Sequence, residues 1–218
     1  MEESLLTPDS NTNLGPDEHA AVVKKGYDKI ATAYNEKRGI FDNMKEIEEF
    51  LSLVPDNGTV LDVGCGGGVP VLKMVIERGF SATGIDFSKG MLEIAEKNVP
   101  EAELVHGDVT KKDFPNESFD GIISTYAIIH IHRRFHPALY SKVYRWLKPG
   151  GVLLISTASD ETAMDYAAED YFGEKMVWSH PGANDVLQIM RDVGFKIVFH
   201  RTVTSGDETH LWILAKKA

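Results

Sequence analysis

Hydrophobic positions along this chain change period several times, and each change marks a predicted element. From about Pro16 to Arg38 the apolar residues Val22, Val23, Tyr27, Ile30, Ala33 and Tyr34 recur near helical spacing. A second helical pattern runs from about Asn43 to Leu53 and stops before Pro55, since a proline restricts the residue ahead of it. Short apolar runs then alternate with helix-compatible stretches: strand 59–64, helix 69–78, strand 81–86, helix 88–97, strand 103–106, strand 119–125, helix 136–147 and strand 151–157. Such alternation predicts a doubly wound α/β fold, a parallel sheet with crossover helices on its faces. An acid-rich stretch, Ser159 to Glu174, interrupts it before a helix over about Gly182 to Val193. Two closing strands, 195–203 and 209–216, flank the turn Ser205-Gly206-Asp207-Glu208 and read as an antiparallel hairpin at a sheet edge.

The first strand ends in the run Thr59-Val60-Leu61-Asp62-Val63-Gly64-Cys65-Gly66-Gly67-Gly68. A plain tight turn has no need of Gly64, Gly66, Gly67 and Gly68 together. A turn of this kind aims unpaired N–H groups and a positive helix end at a ligand above the strand. Against the dinucleotide fingerprint, Gly64 and Gly66 fit but the third glycine position falls on Val69. The acidic residue expected about 20 positions on is present as Asp86. A carboxylate at a strand end accepts two hydrogen bonds from a ribose with free hydroxyls. The residues therefore point to an adenosine-type ligand at the carboxyl ends of the strands.

Several blocks, taken together, resemble the class I S-adenosylmethionine-dependent methyltransferases. They are Val60 to Gly68, Gly84-Ile85-Asp86-Phe87-Ser88 with Met91-Leu92, Gly107-Asp108-Val109, Phe114-Pro115, Ser118-Phe119-Asp120 and Leu147-Lys148-Pro149-Gly150-Gly151. They fall in family order at family spacing over roughly residues 55 to 160, and Tyr126 to Ile131 and Trp178-Ser179-His180 suit the small-molecule branch. The resemblance implies a Rossmann-like, seven-stranded sheet whose last strand is antiparallel. It implies S-adenosylmethionine as cofactor and a small molecule methylated on oxygen or nitrogen. Two departures, Ile129 where many relatives carry histidine and His132 where they carry proline, lie near the expected substrate side.

Carried onto this chain, the family pattern places Gly64, Cys65, Gly66 and Asp62 by the methionine part of the cofactor and Asp86 on the ribose. Phe87 and Met91 would cover the adenine, with Gly107, Asp108 and Val109 at its edge, Tyr34 closing from the first helix and Ser124 beside the turn. Asp108 has a plainer reading as a turn or helix-capping carboxylate, and Tyr27 and Tyr34 could equally form a packing face. On the acceptor side stand Tyr126 and Trp178, with His130 and His180 as candidate bases, since transfer to oxygen or nitrogen can require proton removal near neutral pH. Each histidine could equally be structural. His130, His132 and His136 are interleaved with Ile131, Arg133, Arg134 and Phe135, which opposes a metal site.

The remaining composition narrows the choice. A 218-residue chain with formal net charge −10 repels an extended phosphate backbone, and no base-methylating Pro-Pro turn follows the fourth strand. No apolar run approaches a membrane span. One cysteine, Cys65, permits no internal disulfide and fits a cytoplasmic setting. Residues 1–16 read as a disordered leader, 17–54 as an N-terminal helical cap, and 55–218 as the catalytic domain. Within that domain, an insertion at about 159–181 would form a lid whose acidic residues face solvent. Two other classes stay open on the sequence: an NAD-dependent oxidoreductase, and a non-catalytic S-adenosylmethionine-binding module on the same fold.

Overall fold

The computed structural model describes residues 10–37, 44–206 and 208–218. Its elements in chain order are β1 Ser10–Asn11, α1 Pro16–Lys37, α2 Met44–Leu51, β2 Thr59–Val63, α3 Val71–Glu77 and β3 Ser81–Asp86. There follow α4 Lys89–Asn98, β4 Glu103–His106, β5 Phe119–Ser124, α5 His136–Trp146 and β6 Leu147–Ala158. The chain closes with β7 Met164–Tyr171, β8 Glu174–His180, α6 Ala183–Val193, β9 Phe195–Ser205 and β10 Glu208–Lys217. Two short 3-10 turns, Ile128–His130 and Arg133–Phe135, link β5 to α5.

Seven strands form one sheet in the order β4-β3-β2-β5-β6-β10-β9. The first five are parallel, and β10 runs antiparallel to both β6 and β9. The order reverses at β2, where β3 and β5 leave on opposite sides, so a crevice opens above the carboxyl ends of these strands. Strand alternation sends Leu61, Val63 and Ile122 into a core with α5 and α6. Val60 and Ile123 go into a second core with α2 and α3 on the other face. Leu211 to Ala215 of β10 is buried throughout, whereas β9 alternates buried or half-buried with exposed positions. The antiparallel hairpin of β9 and β10 thus closes one edge of the sheet as expected, with β9 as the outermost strand and β10 paired on both sides.

The acid-rich stretch differs from expectation. It folds into an antiparallel hairpin of β7 and β8, extended to three strands by β1. Ser10 and Asn11 therefore belong to a sheet rather than to a leader, while the rest of the leader up to residue 9 lies outside the described residues. Alternation explains the hairpin: Ala167, Ala168, Met176, Val177 and Trp178 are buried against α1, while Asp160, Glu161, Glu169 and Asp170 are exposed. Of the six acids, Asp165 departs from a purely solvated face. It pairs with Arg133 at 2.7 Å and accepts a short bond from the Ser179 hydroxyl.

Two buried histidines tie this upper layer to the segment after β5, and a third braces that segment from within. His19 of α1 donates from Nε2 to the His130 carbonyl (3.1 Å), His130 donates from Nδ1 to the Val177 carbonyl of β8 (3.0 Å), and His136 donates from Nε2 to the Ile131 carbonyl (2.9 Å). Burial disfavours the imidazolium and lowers His19 to about 4, His130 to about 3 and His136 to about 4. Depressed folded-state values mean that this stability is present above the unfolded value near 6.5 and is lost as pH falls below it. Unfolding at pH 5 should therefore take up about two to three protons from these groups. Melting temperature measured from pH 7 down to pH 5.5 should fall steadily, above most of the range where carboxylates titrate. A flat profile over that interval would contradict the assignment.

Candidate active site

The crevice is walled by the glycine turn after β2, the ends of β3 and β4, the segment after β5, and one face of α1 from Pro16 to Asn35. It encloses about 1220 Å³ of space free of protein atoms, part of it open to solvent. The turn is pinned to β3, because the N–H groups of Gly64 (2.8 Å) and Cys65 (3.2 Å) both donate to the Ile85 carbonyl. Asp86 fixes its upper half: one carboxylate oxygen accepts from Gly66 N (2.9 Å) and the other from Ser88 N (2.8 Å). Withdrawal from water raises the Asp86 carboxyl above its ordinary value, although these N–H groups pull the other way.

Ser88 passes the connection on. Its hydroxyl accepts from Met91 N at the start of α4 (3.3 Å) and donates to Asp28 of α1 (2.8 Å). The helix over the crevice is thereby tied to the carboxylate in its floor. Gly64 has φ 73° and lies so close to the chain after β5 that a Cβ there would stand 2.2 Å from the Ala127 Cβ. Just before Ala127, Tyr126 itself holds a left-handed backbone, φ 58°, with its N–H donating to the buried Ser156 hydroxyl at 2.7 Å. Its ring is braced edge-on by His210 and Trp212. A non-glycine residue in that region is strained by about 1–3 kcal/mol, and such strain gathers at functional sites.

Above the floor, Tyr27 of α1 meets His130. Because the Nδ1 proton of His130 goes to Val177, its Nε2 is the lone-pair side and accepts from the Tyr27 hydroxyl at 2.9 Å. The two rings sit edge to face at 5.2 Å, and Tyr34 packs edge-on against Tyr27 at 5.3 Å. Burial pushes the Tyr27 hydroxyl up and holds His130 low, so both stay neutral across the physiological range. Burial likewise pushes the Cys65 thiol up, which leaves it an inert wall atom. Asp108 serves as a turn carboxylate: one oxygen accepts from Thr110 N and Oγ1, and the other lies 3.6 Å from Lys111 Nζ.

The crevice thus brings together thirteen expected site residues. Tyr34, Asp62, Gly64, Cys65, Gly66, Asp86, Phe87 and Met91 line it, and so do Gly107, Asp108, Val109, Tyr126 and His130. Three others, Ser124, Trp178 and His180, lie outside this lining. The Ser124 hydroxyl is buried between strands and donates to the Val63 carbonyl. Trp178 stands behind His130 (ring centroids 5.3 Å apart) and stacks on Tyr166, so its contact with the crevice is indirect. His180 shares that side of the hairpin, donates from Nδ1 to the Pro181 carbonyl and lies 3.7 Å from Asp160. Among the wall residues that sequence reasoning passed over are Asp17, Asn35 and Lys111, and it weighed Tyr27 only as packing, while His132 lines the wall near the side it expected for the acceptor. The seven-residue spacing of Tyr27 and Tyr34 was the available signal, because it puts both on one helix face.

Comparison with known proteins fits this geometry. A methyltransferase-domain family profile matches residues 60–151. Demethylmenaquinone methyltransferase of Listeria welshimeri is 32% identical over 89% of this chain and 97% of its own length. Phosphoethanolamine N-methyltransferase 3 of Arabidopsis thaliana is 34% identical over 73% of this chain, but this chain matches only 33% of that plant protein's length. Among solved structures, the 1,6-didemethyltoxoflavin-N1-methyltransferase of Burkholderia thailandensis, with bound 1,6-didemethyltoxoflavin and S-adenosylhomocysteine, superposes with TM-score 0.79 at 19% identity. That match covers 97% of this chain and 94% of the other. The fold is the Rossmann-like methyltransferase fold. The chain belongs to the class I S-adenosylmethionine-dependent methyltransferase family, which sets aside the oxidoreductase alternative. No helix among the described residues is long and apolar enough to cross a membrane.

The interlock at Gly64 makes a direct test of the floor. Gly64→Ala adds both a positive-φ penalty and a clash with Ala127, and should cost on the order of 2–4 kcal/mol of stability. Denaturant unfolding checks this. A loss below about 0.5 kcal/mol would mean that the turn is not held as described.

Proposed function

We propose that the crevice binds S-adenosylmethionine and directs its methyl group onto an oxygen or nitrogen of a small molecule. The observation that carries the reading is the glycine turn fastened by Asp86 and faced, across the crevice, by the hydrogen-bonded pair Tyr27–His130. The fit to the cofactor rests on features of the floor. A Cβ at Gly66, φ 51°, would occupy open space, with Met91 Sδ the nearest atom at 4.0 Å, so the backbone there offers a cradle. Asp86 supplies the acceptors for a ribose, Asp62 the charge for an amino group, and Phe87, Met91 and Val109 apolar surface for a base, with Asp108 and Gly107 at its edge. Tyr34 closes the crevice from α1. When bound, S-adenosylmethionine supplies a methyl group already activated by its sulfonium, so orientation and exclusion of water carry most of the rate.

In this reading the protein's own groups hold the acceptor. The Tyr27 hydroxyl, hydrogen-bonded to His130 Nε2 and to Tyr34, would orient the acceptor by accepting its N–H or O–H from the crevice wall. His130 positions Tyr27 rather than acting as a base of ordinary strength, because burial keeps it neutral. Tyr126, with its fixed backbone, walls the acceptor side beside Ala127. The one cysteine, buried and unreactive, is consistent with a cytoplasmic enzyme. Acceptors are found by screening a small-molecule extract for S-adenosylhomocysteine release and identifying the methylated product by mass.

With an acceptor in hand, Tyr27→Phe and His130→Ala should each cut turnover by about 10²-fold while leaving S-adenosylhomocysteine affinity nearly unchanged. The double variant should be little worse than either single one, because both remove the same unit. The pH–rate profile should show no limb near pH 6.5 that disappears in His130→Ala. Full turnover in both single variants would leave the pair a purely structural contact.

A further inference from the structure

Charge in the crevice points to the chemical class of the acceptor, an inference that rests on the methyltransferase reading above. Its described lining carries four aspartates, Asp17, Asp62, Asp86 and Asp108, against one lysine, a formal charge of −3 with neutral histidines. That lysine, Lys111, is already shared between Asp17 and Asp108, 3.6 Å from each. Arg133 and Arg134 open onto a different, shallower cleft with Pro181, Gln188 and Asp185, and Arg133 is held by Asp165. Among the described residues, an anionic group inside the crevice would meet no uncommitted cation. Tyr34 packs against Tyr27, Tyr126 also lines the crevice, and aromatic ring faces attract cations.

We propose that the acceptor is a small amine, cationic at neutral pH and bearing no phosphate or carboxylate at the end that enters the crevice. The amine enters as an ammonium drawn by the acidic mouth. It gives up one proton to water before transfer, and the Tyr27 hydroxyl, held by neutral His130, orients the freed amine by accepting its N–H. The freed nitrogen pair attacks the methyl carbon; the N–C bond forms as the C–S bond breaks, and the positive charge passes from sulfur to nitrogen. The net charge within the crevice is conserved through transfer, so the aspartates that favour the cationic cofactor favour the cationic product equally. An anionic acceptor would be desolvated in a crevice whose formal charge is already negative, which is unfavourable.

The test is a panel of small primary and secondary amines, each paired with its hydroxyl isostere and a phosphorylated counterpart, such as ethanolamine, ethylene glycol and phosphoethanolamine. Binding to the S-adenosylhomocysteine complex is read by calorimetry, and turnover by S-adenosylhomocysteine release. At least one amine should bind the complex and react with kcat/KM about tenfold or more above its phosphorylated partner. Asp17→Lys, at an exposed position on the mouth, should raise KM for that amine by about 3- to 10-fold without moving S-adenosylhomocysteine affinity. Preference for the phosphorylated member, reaction with hydroxyl acceptors alone, or no amine binding or reacting on protein that does bind S-adenosylhomocysteine would each overturn the proposal. Failure to bind S-adenosylhomocysteine at all would instead strike the cofactor reading on which it rests.

Discussion

One carboxylate organises the centre of this molecule. Asp86, at the last position of β3, accepts from Gly66 of the neighbouring turn and from Ser88 at the head of α4. Charge-assisted bonds to backbone N–H groups are among the stronger hydrogen bonds, and here they draw together a loop and a helix end that the ladder alone leaves open. A turn rich in glycine has a large entropy to lose on ordering. An anion at its mouth offsets part of that loss, and Asp86 itself lines the crevice.

From Asp86 the order spreads to the upper layer. Ser88 carries it to Asp28 on α1, and α1 in turn meets His130 through Tyr27 and through His19. On its other side α1 buries Val23 and Ile30 against Met176, Val177 and Trp178 of the β7–β8 hairpin. The roof is therefore a packed layer with its own small core, tied to the segment after β5 by buried imidazoles that are all neutral. Such a layer has fewer apolar contacts than the two sheet cores and belongs to the less stable end of the structure.

Much of the sheet was legible in the sequence because each strand there is a buried run cut off by punctuation. Strands 81–86 and 103–106 fall where the pattern predicts, and 59–63 and 119–124 end one residue early at the turns. The hairpin was not legible: in Met164 to Tyr171 the alternation is blurred by Asp165, Glu169 and Asp170, and a cluster of acids reads as a solvated segment. Nor could spacing reveal the inner position of β10, which depends on which neighbour wins a hydrogen-bonding edge. The floor of the site was readable because its residues are local to strand ends. The Tyr27–His130 bond joins residues 103 positions apart, and the packing of the hairpin that carries Trp178 and His180, both outside the crevice lining, cannot be read from motif spacing.

The central claim is that floor and roof form one ligand-coupled unit through Asp86, Ser88 and Asp28. Hydrogen exchange with and without S-adenosylhomocysteine tests it most directly. Binding should slow exchange not only in the turn 64–68 but also along α1 and in β7–β8, with α2, β9 and β10 unaffected. Protection confined to the turn, or exchange unchanged in both α1 and the hairpin, would show that the roof is independent of the cofactor site.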